Sequence, residues 1–525
     1  QPESSAASDV YKRQILCLTL IYSYFNIDID ARVLPQDVIW NNDETGYYTI
    51  DENSIVLVST IGKKDKKILS SEDVKNKKIE SFSFSQDKKN VLIFTNSVRV
   101  WRYNTRGNYW VYNLKTKQGK RLGSTLPDRS LMFAKFSPNG KKIAYVSKEI
   151  IPNSFRNSST RANIYLETVE GNSIVKLTES DEKGKIINGT FDWVYEEEFS
   201  CRDGFLFNDN SDKIAFWQID ANGVKDFLMI NNTDSIYPFN VPVEYPKVGE
   251  DLTPARIGVI DLNSMDVTWM KIPGESNKFY LPRMTWMPNK DKLMIQQLNR
   301  KQNHSRYFVA NAENGSTELL LEDKDEAWID VRNTWPYQDK AGWKFINGGK
   351  EFLYTTEKDG WSHVYRYDIE KREEFLVTKG DYDVIRPLSF DEEKGDIYFI
   401  ASPKDPTERY LYKTSENNEL ELVTPKLLEG THNYQISTKS RYAFHSFSNY
   451  YTRPMQGIVN LPDHEYINKD DDILSKFNPS LKDSNPLEFF QITTVDDVTM
   501  EGWIVKPDNM DCLLYTSDAA DDSGC

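Results

Sequence analysis

From Val38 onward, short runs of alternating apolar and polar residues are separated by turns rich in Asn, Asp, Gly and Lys. Strict alternation turns every second side chain to one face, which is the pattern of half-buried β-strands; helices instead repeat their apolar positions every three to four residues. The runs recur as a unit: an apolar or aromatic residue closes a short strand, a polar turn follows, and a second apolar strand returns. Val38-Ile39-Trp40 precedes Gly46-Tyr47-Tyr48, Phe82-Ser83-Phe84 precedes Val91-Leu92-Ile93-Phe94, and Phe136-Ser137-Pro138-Asn139-Gly140 precedes Ile143-Ala144-Tyr145-Val146. Five further units centre on Phe207, Trp286, Phe345, Phe390 and Ile436. Other strand-like runs, such as Tyr109-Trp110-Val111-Tyr112 and His363-Val364-Tyr365-Arg366-Tyr367, lie between these hairpins and supply about four strands per unit. Four short strands repeating every forty to fifty residues predict a β-propeller over residues 36–465, and eight recurrences predict eight blades. Tandem β-sandwiches are the alternative, but their strands carry no recurring unit.

The intervals are uneven. Most lie between 44 and 59 residues, whereas the two flanking Phe207 are 71 and 79. Extra residues in a closed array must emerge as insertions, which is where propellers commonly carry function. The first long interval holds Thr190-Phe191-Asp192-Trp193-Val194-Tyr195-Glu196-Glu197-Glu198-Phe199. Asp192 suits the cap of a short helix, whose successive positions would fan the glutamates toward one region. Two carboxylates so placed could grip one ammonium, because an α-amino group offers three N–H donors and charge-assisted bonds are the strong ones. The competing reading is an acidic surface turn in a chain of net charge -15.

Composition narrows the partners. With 525 residues, 39% of them hydrophobic and 13% aromatic, the chain can build sizeable cores. The excess of 80 acidic over 65 basic residues speaks against nucleic acid or an anionic membrane as partner. The ends read differently from the rest. Asp9-Val10-Tyr11-Lys12-Arg13-Gln14 can be encoded by GATGTGTATAAGAGACAG, and the reverse complement of that DNA, read one base on, encodes the residues Cys512 to Ser517. Residues 1–14 and 512–525 therefore look like a translated sequencing adapter and are set aside from the fold, which makes the chain an expected fragment. Cys17 and Cys201 then remain, too few for a disulfide framework. Residues 15–35 are either the end of a signal peptide or the start of the mature chain.

Asp192-Trp193-Val194-Tyr195-Glu196-Glu197-Glu198 closely resembles the double-glutamate motif of the dipeptidyl peptidase IV family of serine exopeptidases. Three further segments resemble that family in the expected order. Val100-Trp101-Arg102-Tyr103 is similar to its Trp-Arg blade segment, Tyr245-Pro246-Lys247-Val248-Gly249 to the segment after the glutamates, and Glu357-Lys358-Asp359-Gly360-Trp361-Ser362-His363 to a later one. The resemblance implies that Glu197 and Glu198 hold the free N-terminus of a peptide and that Arg102 orients the carbonyl of its second residue. An arginine fork suits that task and can also pair with the glutamates when no substrate is present. His363 reads as a structural, hydrogen-bonding histidine.

After a polar connector at 466–487, residues 488–511 resemble the opening hairpin of the family's α/β-hydrolase domain, truncated where the adapter-like stretch begins. The nucleophile of such a domain sits in Gly-x-Ser-x-Gly, followed by Asp and His. No such motif occurs, and all five histidines precede the expected domain, so no catalytic residue is assigned here. No metal-binding spacing occurs and no cofactor is expected. The resemblance implies a periplasmic, cell-surface or secreted enzyme that releases X-Pro or X-Ala dipeptides from peptides with a free N-terminus, with homodimerisation through a propeller insertion and the hydrolase domain. The alternative is a non-catalytic propeller that binds peptides or proteins.

Overall fold

The computed structural model describes residues 38–100, 102–150, 160–331, 341–414, 419–468, 473–484 and 487–506. The adapter-like ends, the stretch 15–35 and Trp101 lie outside the described residues. The chain divides into two compact units, one of residues 37–399 with 414–420, the other of residues 1–36, 400–413 and 421–525.

In the larger unit the alternating runs form antiparallel strands in chain order. Strands Ile39–Trp40, Gly46–Asp51, Ser54–Ser59 and Lys66–Leu69 make the first four-stranded sheet. The next two repeats merge into one sheet of eight strands, because Tyr103–Asn113 pairs with Leu131–Phe136 at Gly107 and Leu131. Gly107 is required at this junction: a Cβ there would lie 2.4 Å from the ring of Phe94. Four-stranded sheets over Phe279–Lys324 and Trp343–Leu376 follow the fourth repeat. Four strands between Val384 and Leu422 make up the seventh repeat. In the smaller unit, Thr431–Ile436, Tyr442–Asn449 and Thr452–Asn460 form a three-stranded sheet, and Leu487–Thr493 pairs with Thr499–Val505. The fold is mainly β and propeller-type, with eight successive groups of strands where the sequence repeats eight times.

The fourth repeat is built around an interruption. Strands Ile186–Asn188 and Phe205–Phe207 both pair with Lys213–Asp220, so they are two halves of one edge strand, and residues 189–204 leave and rejoin it. Two glycines close the neck. Gly189 donates to Trp217 O and Gly204 donates to Gly189 O, each at 3.0 Å. Gly189 has φ +71°, and a Cβ on it would lie 2.6 Å from Ile164. At Gly204 a Cβ would come within 2.8 Å of the Gly189 carbonyl carbon. Only residues without side chains let the chain turn out this sharply and return. A second excursion, the hairpin Asp226–Asn231 and Phe239–Glu244, rises from the same repeat.

Candidate functional site

The first excursion carries the acidic helix, Trp193–Phe199. Asp192 caps it: its extended backbone precedes the helix and its Oδ1 accepts from the Tyr195 N–H at 3.1 Å. Burial raises the Asp192 carboxyl above its usual range, against the pull of that N–H. The helix is too short to persist on its own and depends on what it packs against. Tyr195 and Phe199 point inward, into a core with Phe191, Trp217, Leu281 and Trp286. Burying two such rings contributes about 1.5–3 kcal/mol each.

A bulge in the facing strand fixes the helix in place. The register of Phe279–Trp286 shifts between Tyr280 and Arg283. This leaves the backbone of Leu281 outside the ladder, next to Pro282, which has no N–H to give. The Tyr195 hydroxyl accepts from Leu281 N at 3.0 Å, and Trp217 Nε1 donates to Leu281 O at 2.8 Å. Arg283, almost fully buried, donates Nη2 to Phe199 O at 2.9 Å and Nη1 to Pro282 O at 2.7 Å and to Cys201 Sγ at 3.2 Å. A guanidinium at the C-terminal end of the helix satisfies one of its last carbonyls and complements the helix dipole.

With its inner face anchored, the helix turns its glutamates outward in three directions. Glu197 meets Arg102, Nη1 to Oε2 at 3.0 Å; the arginine side chain is 72% exposed and the glutamate 19%. A pair so open to water adds little stability. Glu198 is exposed and makes no ion pair or hydrogen bond among the described residues, so its carboxylate is open to a ligand. Glu196 faces Arg202 and Lys148; burial raises its carboxyl above the usual range while those two cations oppose the shift. Trp193 stacks at a tilt on Tyr245, 4.6 Å between centroids, which ties the helix to the Tyr-Pro-Lys segment of the second long interval. His363, in another sheet, is buried and holds Asp359 Oδ2 through Nδ1 at 2.8 Å.

Arg102 and Glu197 thus meet from parts of the chain about a hundred residues apart, with Glu198 the next residue of the helix. Sequence reasoning did not single out Arg106, Lys148, Arg202 or Arg283. Arg106 lies beside the Trp-Arg segment and Arg202 just beyond the triplet, but Lys148 ends an ordinary strand and Arg283 follows a proline in one. Nothing in their local pattern separates them from surface basic residues.

A mainly β array of successive strand groups with an acidic helix pushed out of one edge strand defines a propeller-type protein with an acidic insertion. Residues 85–454 match the family described as the dipeptidyl peptidase IV (DPP IV) N-terminal region, and the chain belongs to that family. It is 25% identical over 389 residues to the inactive dipeptidyl peptidase 10 of Mus musculus, covering 72% of this chain and 46% of that protein. Against dipeptidyl aminopeptidase B of Saccharomyces cerevisiae it is 25% identical over 378 residues, 70% of this chain and 44% of the relative. The crystal structure of Porphyromonas gingivalis dipeptidyl peptidase 4 superposes with a TM-score of 0.78 at 23% identity, covering 90% of this chain and 65% of that one. The chain spans about half the length of the curated relatives it matches.

Proposed function

We propose that this chain is the substrate-gating, N-terminus-reading propeller of a serine exopeptidase that removes X-Pro or X-Ala dipeptides. The observation that carries the reading is the ion pair of Arg102 with Glu197 and the open Glu198 next to it in sequence, both glutamates on a helix whose other face is locked into the core. The glutamates take the peptide ammonium, and Arg102 exchanges Glu197 for the carbonyl of the second residue. Pinning the amine at a fixed distance from a nucleophile makes cleavage exo and dipeptide-sized. The nucleophile belongs to an α/β-hydrolase domain, of which the hairpin Leu487–Thr493 and Thr499–Val505 is the opening.

Export to the periplasm or cell surface belongs to the same reading. So does a homodimer, for which the hairpin of the fourth repeat offers Ile230, Ile236 and Tyr237 at 72%, 96% and 81% exposure. A second reading, a propeller that binds peptides without cleaving them, is favoured by the similarity to an inactive relative. The presence of Gly-x-Ser-x-Gly in the adjoining gene sequence selects the first reading, and its absence the second.

Both readings share one test on the chain itself, calorimetric titration with Gly-Pro amide and its N-acetyl form. The free amine is expected to bind at least about tenfold more tightly, and Glu197→Gln to remove most of that difference, since one charge-assisted bond is worth roughly 1.5–3 kcal/mol. Equal binding of the two ligands would show that the glutamates do not read the N-terminus.

A further inference from the structure

The acid triplet stands next to a group of cations that no described residue engages in an ion pair. Among the described residues, the side chains of Arg106, Lys148 and Arg202 make no ion pair and no hydrogen bond. Their neighbours are paired: Arg102 with Glu197, Lys185 with Glu244 and Asp226, Lys135 with Asp203. Arg106 Nε and Arg202 Nη1 are buried donors without an acceptor. The Arg202 guanidinium lies over the ring of Tyr103, its Cζ 3.5 Å from the centroid, a contact that uses none of its N–H donors. Lys148 is half-buried, on the strand Lys142–Ile150, and its backbone N–H donates to Ser130 O. Burial and the nearby Arg106 push its ammonium down, against the attraction of Glu196 and Glu244. Glu196 is the free acid facing this group, since Glu244 is held by Lys185.

Unpaired buried donors and converging like charges are costly unless an anion completes them. We propose that Arg106, Lys148 and Arg202 form an anion subsite that receives the side-chain carboxylate of an acidic first residue in the bound peptide. This rests on the reading that the peptide's ammonium docks at Glu197 and Glu198. Asp and Glu carry their carboxylate only a few bonds from the Cα that bears the ammonium, and Glu196, next in the helix to Glu197, borders both charge groups. An arginine edge and an ammonium together match a carboxylate in geometry and charge. The subsite would make the protein selective for peptides that begin with Asp or Glu.

The test titrates the chain with Glu-Pro amide, Gln-Pro amide, Gly-Pro amide and N-acetyl-Glu-Pro amide. Glutamate and glutamine differ by the charge, and the amides lack a C-terminal carboxylate that could fill the site instead. Glu-Pro amide is expected to bind at least about tenfold more tightly than Gln-Pro amide, the strength of one or two charge-assisted bonds. Lys148→Met and Arg106→Gln should each bring that ratio toward one while leaving Gly-Pro amide within about twofold. The ratio on the unaltered chain needs no variant to fold. Equal binding of Glu-Pro and Gln-Pro amides, with Gly-Pro amide still bound, overturns the subsite and leaves the N-terminus reading standing. Failure of every free-amine dipeptide to bind overturns both. If N-acetyl-Glu-Pro amide binds as tightly as Glu-Pro amide, the anion is not read together with the amine, and the proposal falls.

Discussion

Lowering the pH from 7.5 to 5 should loosen one sheet of this protein, that of Thr431–Asn460, and spare the first. The cause is a stack of buried imidazoles. His432, His445 and His464 are all but inaccessible, and the rings of His432 and His445 lie 5.1 Å apart at 10°. Their hydrogen bonds are all met by neutral rings. His432 Nε2 contacts the Leu428 carbonyl at 2.8 Å and must donate to it, so His432 Nδ1 accepts from His445 Nε2, also at 2.8 Å. His445 Nδ1 then accepts from the Tyr466 hydroxyl, and Tyr434 serves His464 Nε2, each at 2.8 Å. In this arrangement a proton added to His432 Nδ1 would face the N–H of His445 head-on unless His445 changed tautomer. Burial accordingly depresses all three histidines, His432 to about 3 and His464 to about 4.

The sign follows directly. In the unfolded sheet these rings titrate near 6.5, so below that pH the open state binds protons the closed state refuses, and stability falls as pH falls. At pH 5 each ring with a printed value costs about 1.36 kcal/mol times 1.5 units, roughly 2 kcal/mol, so the pair costs about 4 kcal/mol and His445 adds in the same direction. Hydrogen exchange, corrected for its intrinsic pH dependence, reads this locally. Opening of Thr431–Ile436 and Tyr442–Asn449 should become hundreds of times more frequent at pH 5. The sheet Ile39–Leu69, which contains no histidine, is the internal control. Equal protection at both pH values, or a His432 resonance titrating near 6.5, would refute the neutral stack.

Two substitutions probe the anchoring of the acidic helix. Tyr195→Phe leaves the Leu281 N–H buried without its acceptor and is expected to cost about 1–3 kcal/mol, measured as a lower midpoint of thermal unfolding. Arg283→Met strips a partner from two buried carbonyls, Phe199 O and Pro282 O, and is expected to destabilise by about 2–4 kcal/mol. Its mark should be selective exchange of residues 195–201, with Arg283→Lys restoring part of the protection; exchange confined to the far sheets would show that Arg283 does not hold the helix.

The period of the strands and the position of the two insertions were legible in the chain, because β alternation and turn chemistry are local and each repeat restates them. Asp192 as a helix cap was legible for the same reason: the capping oxygen and the N–H it accepts from lie three residues apart. Tertiary structure decided what the excursion rests on. Gly189 and Gly204 read as ordinary turn residues until the two halves of one strand are seen to flank them. Leu281 looks like any core residue until a bulge leaves its peptide groups to Tyr195 and Trp217. The meeting of Arg102 with Glu197 joins repeats about a hundred residues apart, and Lys148 reaches Glu196 and Arg106 from another strand again. Basic residues on strands carry no sign of their partners, since pairing depends on which sheets come to lie side by side. That is set by packing over the whole array and by no stretch of sequence short enough to read.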